Sequence, residues 1–100
     1  MPTKSYDEFL FKQLSDPEIA AEYLSAAIED RSMDEFLLAL RNVAEAHGGI
    51  GSLSEMTQLN RQSMYKMLSE EGNPTLASLL AVLGAIGIQV SFTANGKEAA

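Results

Sequence analysis

SLSEMTQLNRQSMYKMLS, residues 52–69, is the stretch whose reading decides the fold. It describes two short helices joined by a tight turn. Leu53, Leu59, Met64, Met67 and Leu68 fall where such a pair needs inward side chains, and Asn60 stands where the second helix needs a cap. The second helix then presents Arg61, Gln62, Tyr65, Lys66 and Ser69 on one outward face. These residue types suit a major groove: Arg and Lys donate to guanine O6 and N7, and Gln pairs with adenine N6 and N7. Asn60 sits where a helix N-terminus meets a phosphate. The plain alternative is an ordinary helix pair with a solvated polar face, and the spacing alone leaves both readings open.

Upstream, Ser32-Met33-Asp34-Glu35 forms a capping box that opens a helix with Phe36, Leu37, Leu40, Val43, Ala44 and His47 on its apolar side. Gly48-Gly49 ends it, and a short helix follows over about Ser52 to Thr57. Before that, Asp16-Pro17 starts an amphipathic helix to about Glu29, with Ala20, Tyr23, Leu24, Ala27 and Ile28 inward and Glu18, Glu22 and Glu29 outward. Ser5-Tyr6-Asp7-Glu8 opens another, with Tyr6, Leu10 and Leu14 on one side. Downstream of the central pair, whose second helix should reach about Glu70, Gly72-Asn73-Pro74 breaks the chain. Thr75 starts a helix whose inward stripe reads Leu76, Leu79, Leu80, Leu83 and Ile86, stopped by Gly87. The period then changes from 3.6 to 2: Ile88, Val90, Phe92 and Ala94 alternate with polar residues, a strand pattern.

One hundred residues make one ordinary domain. The absence of cysteine removes disulfides, thiolate chemistry and Cys-ligated metals, and a single histidine, His47, leaves nothing to build a zinc site or a triad from. His47 reads as a core or capping residue. Gly48-Gly49-Ile50-Gly51 lacks the preceding strand and following Lys-Ser/Thr of a phosphate loop, and Glu70-Glu71 are adjacent helical residues that diverge. The methionines read as core fillers. The chain therefore reads as a binding module and not an enzyme, with no cofactor, no metal and no small-molecule ligand. Residues 1–15 contain no uninterrupted apolar run of a signal peptide, and Leu76 to Ile88 is too short to span a bilayer, so the expectation is a cytoplasmic protein with no membrane partner.

Net charge is −7, unevenly spread. Residues 1–35 hold nine acids against three bases, residues 36–69 two against three, and residues 70–100 three against one. The candidate DNA face lies in the one segment that is not acidic. The acidic N-terminal third should turn away from a duplex and suits a basic partner.

The stretch Phe36 to Leu83 resembles the Cro/phage-repressor class of helix-turn-helix domains, and LRNVAEAHGGIGSLSEMTQLNRQSMYKMLSEEGNPTLASLLAVLGAIG, residues 40–87, carries a closer likeness. More narrowly it is similar to small bacterial addiction-module antidote proteins of the HigA-like antitoxin group. SYDEFLFKQLSDPEIAAEYLSAAIED, residues 5–30, extends the likeness over most of the chain. Its most specific part is Asn60-Arg61-Gln62-Ser63-Met64-Tyr65-Lys66 followed by Glu71-Gly72-Asn73-Pro74-Thr75. The resemblance implies an antitoxin that neutralises a RelE/ParE-like toxin and represses the shared promoter. Its DNA-binding set would be Asn60, Arg61, Gln62, Ser63, Tyr65, Lys66, Asn73 and Thr75. Two positions depart from the pattern: Gln58 replaces the usual turn glycine, and Ser54 the small alanine where the helices cross. A stand-alone phage-type repressor and a protein-binding helical adaptor are the alternatives.

The expected fold is mainly α: an acidic helical extension over 1–31, a repressor-like helix-turn-helix bundle over 32–87, and a C-terminal β-strand and tail over 88–100. That strand has no obvious mate in its own chain, unless Met1 to Ser5 forms a local ribbon with it. A second copy paired across a two-fold axis would satisfy it, giving a homodimer through Ile88, Val90 and Phe92 on a near-palindromic double-stranded operator.

Overall fold

Polar side chains set most of the helix boundaries. The computed structural model describes residues 4–69 and 72–95, with side chains from Tyr6 onward. Six helices follow one another in the described residues: α1 (Lys4–Leu14), α2 (Pro17–Glu29), α3 (Met33–Ala46), α4 (Gly49–Thr57), α5 (Arg61–Met67) and α6 (Leu76–Ile86). At α2, Oδ1 of Asp16 accepts the Glu18 N–H at 2.9 Å, with Pro17 in the first turn. At α3, Oγ of Ser32 accepts the Glu35 N–H at 3.3 Å. Asn60 and Thr75 cap α5 and α6 in the same way, each at 3.1 Å. Each cap of this kind contributes about 1 kcal/mol. α1 begins at Lys4, so Ser5 lies inside its first turn and not at the cap; the Ser5 side chain, residues 1–3 and Glu70-Glu71 lie outside the described residues.

α3 is the axis of the bundle. Leu37, Leu40 and Val43 are fully buried on it, and α1, α2 and α4 pack around it. α4 in turn carries α5 and α6, through Leu53 on its own buried side and Met64, Met67 and Leu68, Val82, Leu83 and Ile86 on theirs. Leu14, Ala20 and Leu24 join the same core, so the acidic N-terminal helices share it with the rest. Two long polar side chains of the α3 region tie the ends of other helices to it. His47 places Nε2 2.9 Å from the Leu14 carbonyl at the end of α1. Arg41 donates from Nη1 to the Leu68 carbonyl at the end of α5. Cationic and N–H donors at helix C-termini satisfy carbonyls that have no partner within the helix.

Two further boundaries and three helix faces differ from the sequence reading. α4 begins at Gly49, three residues early, because Gly48 and Gly49 both take positive φ (103° and 84°) and turn the chain straight into the next helix. α5 ends at Met67, short of Glu70. On α6, Leu76 and Leu80 point outward, 67% and 43% exposed, while Val82 is fully buried. Ile28 and Tyr6, expected inward, are each 56% exposed.

The last correction is the C-terminal strand. Residues 88–95 follow α6 without regular structure, and no strand occurs among the described residues. A ladder needs a neighbouring backbone, and among the described residues none pairs with this segment. Its first residue is instead taken up by the helix stop. Gly87 adopts φ 97°, and the Ile88 N–H reaches back to the Leu83 carbonyl at 2.8 Å. This Schellman-type ending turns the Ile88 side chain onto the core. Val90 and Phe92 are left 42% and 95% exposed. No helix among the described residues is long and apolar enough to cross a membrane.

Two glycines make opposite predictions. A methyl group at Gly72 would run into the Met67 carbonyl, whereas one on Gly84, in α6, meets nothing within 4 Å. Gly72→Ala should therefore cost about 1–3 kcal/mol by overpacking. Gly84→Ala should stabilise by roughly 0.5–1 kcal/mol through helix propensity. Thermal unfolding followed by circular dichroism separates the two signs.

Candidate nucleic-acid interface

The turn between α4 and α5 is built from Thr57, Gln58 and Leu59. Gln58 sits in the left-handed region at φ 65°, a conformation that costs a residue with a Cβ about 1–2 kcal/mol. Local side chains offset that strain. Thr57 Oγ1 donates to the Leu53 carbonyl at 2.7 Å and accepts the Leu59 N–H at 3.2 Å. Ser54, half-buried where the helices cross, donates to the Leu59 carbonyl at 2.9 Å. The serine thus fits the crossing and also staples the turn, which alanine could not do. Leu59, half-buried against the core, and Asn60 then set the start of α5.

On α5 only Met64 and Met67 face inward, so the helix is held by two thioether side chains and the Arg41 tie at its end. Arg61, Gln62, Ser63, Tyr65 and Lys66 are all exposed, and α5 carries no carboxylate. Two cations, an amide and a phenol therefore share an outward surface on an acidic protein. The Arg61 guanidinium lies back across Gly51 of α4: a methyl group there would come within 2.5 Å of its Nη2. Tyr65 lies on another flank of α5, in a depression with Arg41, Glu45 and Ser69.

Ser63, Lys66, Asn73 and Thr75 converge on the other side. They line one open cleft of about 390 Å³ between α5 and the start of α6. Ser78 joins them there, a residue the sequence reading passed over; the signal for it was the Thr75–Ser78 spacing of one helical turn. Thr75 Oγ1 accepts the Ser78 N–H and donates to Ser78 Oγ at 3.0 Å, holding both hydroxyls at the cleft edge. Asn60 spends its Oδ1 on the Ser63 N–H, which leaves its amide NH₂ as the group free to face outward. All eight expected residues are exposed; four meet in the cleft, and Arg61, Gln62 and Tyr65 are spread over the rest of the α5 surface. Ile88, placed in the expected dimer surface, packs on the chain's own core, while Val90 and Phe92 remain outside. Among the described residues no group of three or more His, Asp or Glu stands close enough to hold a metal ion.

The family model described as "Probable addiction module antidote protein" matches residues 3–94. An uncharacterized protein of Haemophilus influenzae is 28% identical over 78 residues, covering 78% of this chain and 79% of its own. No solved structure matches.

Gln58 gives a test of the turn that is independent of any ligand. Gln58→Gly should raise stability by about 1 kcal/mol by relieving the left-handed strain, and Ser54→Ala should lower it by about 1 kcal/mol through the lost hydrogen bond. Urea denaturation of the two variants reads both.

Proposed function

The chain belongs to the family of probable addiction module antidote proteins, and on that premise we propose that it is an antitoxin that neutralises a basic RelE/ParE-like toxin and represses its own operon, acting in the cytoplasm. The observation that carries the DNA half of this reading is the surface of α5: two cations and no anion, flanked by a polar cleft at the start of α6. Gln62 is suited by its amide to pair with adenine, and Arg61, once swung off Gly51, to donate to guanine. Lys66, Ser63, Asn73 and Thr75 are suited to the phosphate backbone beside the groove, where such contacts fix register without reading sequence. The acidic exposed faces of α2 and α3 would repel the duplex and attract a basic toxin.

The functional unit of this reading is a homodimer, because a near-palindromic operator needs two reading helices about 34–36 Å apart or a multiple of that. Phe92, 95% exposed, supplies an apolar surface for it, on a segment that Ile88 anchors to each core. This proposal depends on side-chain burial between copies and not on a strand ladder.

Three measurements follow. On DNA from upstream of its own operon, Arg61→Ala/Gln62→Ala should weaken binding at least tenfold, since each bidentate base contact contributes about 1–3 kcal/mol. A double variant that shifts this DNA as well as the parent overturns the assignment of α5. Lys66→Ala should weaken operator and unrelated DNA alike and lower the salt slope by about one. Phe92→Asp should sediment as a monomer at concentrations where the parent chain is a dimer.

A further inference from the structure

A second concave surface lies on the far side of Pro74 from the polar cleft, and it is apolar. Its first half, about 350 Å³, is floored by Phe36 and Leu79 and edged by Ile28, Met33 and Leu76. The second half, about 290 Å³, shares Ile28, Phe36 and Leu79 with it and runs on between α2 and α6 to Val90 and Ser91. The two form one continuous groove from Pro74 to the C-terminal segment. Ile28, Met33 and Leu76 are 56%, 55% and 67% exposed along its edge, although each is a large apolar side chain. Contiguous exposed apolar surface of this kind marks a place where another molecule sits.

Charge decides between the molecules that could sit there. Glu29, Asp30, Asp34 and Glu35 flank the edge residues Ile28 and Met33 in sequence, and all four are exposed. Arg31 is the only cation lining either half. A second copy of this chain laid face to face would bring the exposed acids of α2 and α3 against their like, and an anionic membrane would be repelled in the same way. The complement is a segment with apolar residues along one side and Lys or Arg on its flanks. An elongated open groove takes such a segment as an amphipathic helix, whose anchors recur at i, i+3 or i+4, and i+7.

We propose that this groove is where the toxin docks, by laying a basic-flanked amphipathic helix between α2, α3 and α6; this rests on the antitoxin reading above. The apolar floor sets the lifetime of the complex and the exposed acids of α2 and α3 the rate of encounter. The polar cleft lies beyond Pro74 and remains open when the groove is filled.

The probe is the purified product of the reading frame adjacent to the chain's own, titrated against the full chain. Met33→Glu and Leu76→Glu change exposed side chains and make the rim more acidic, so a weakened complex reads the apolar contact and not lost charge. Each should bind at least tenfold more weakly with unchanged thermal unfolding, and Met33→Glu, away from the DNA-binding set, with unchanged operator binding. Leu38→Glu, half-exposed on α3 and not among the groove's lining residues, should bind like the parent. Glu29→Gln/Asp34→Asn should slow association several-fold at low salt and leave dissociation unchanged. If the parent binds and Met33→Glu and Leu76→Glu bind equally well, the groove is the wrong site while the antitoxin reading stands. If the parent itself does not bind the probe, the antitoxin reading falls and this proposal falls with it.

Discussion

Everything in this fold hangs on the burial of α3. Leu37, Leu40 and Val43 lose all contact with solvent, and Phe36, Ala39 and Ala44 nearly all of it. At roughly 1.5–3 kcal/mol for each large aliphatic side chain, that stripe is the largest local source of stability in the chain. No other helix buries as many residues. α1 and α2 cover one side of it, and α4 covers another and passes the connection on to α5 and α6. The same region also fixes direction. Apolar packing tolerates sliding, but the His47 bond to the Leu14 carbonyl and the Arg41 bond to the Leu68 carbonyl do not. The two bonds set where α1 ends and where α5 ends relative to a common axis.

Around that axis the molecule keeps its charges apart. Exposed acids crowd α2 and the start of α3, whereas α5 carries Arg61 and Lys66 and no acid. The separation is a consequence of topology. The N-terminal helices and α4–α5 pack on different sides of the axis, so acidic and basic segments of sequence become acidic and basic sides of the molecule. Pro74 marks one border between them, with a polar cleft on one side and an apolar groove on the other.

How much of this was legible in the sequence depends on whether the cause was local. Asp16, Ser32, Asn60, Thr75 and Gly87 announced their helix ends because a cap is made within one turn of chain. The inward residues of α3 and of α4–α5 were legible because polar residues interrupt them and fix the phase. α6 offers no such contrast: LASLLAVLGAI is apolar all round, so nothing in it distinguished Val82, which is buried, from Leu80, which is not. The strand at 88–94 failed for a related reason. Alternation records a preference for extended chain, but a ladder depends on a partner that the alternation does not specify. Gly48-Gly49 was read as a stop, yet positive φ serves equally to end one helix and begin another. The expected site residues were exposed as anticipated. Their division between a cleft and an open surface was not legible, because it depends on how the start of α6 comes to lie beside α5. Nor was the Arg41 tie, which joins residues 27 apart in sequence.

The way α5 is held has an evolutionary consequence. Two of its seven positions, Met64 and Met67, attach it to the core, and its ends are secured from Asn60 and Arg41, outside the helix. The remaining five positions owe the fold almost nothing. Substitution among them changes the chemistry of the surface while leaving stability near its starting value, since exposed changes away from caps and buried contacts usually stay within about 0.5 kcal/mol. Selection can therefore rewrite what this face recognises one residue at a time, without passing through intermediates that unfold. A lineage that duplicates such a chain can give each copy a different specificity on the same scaffold.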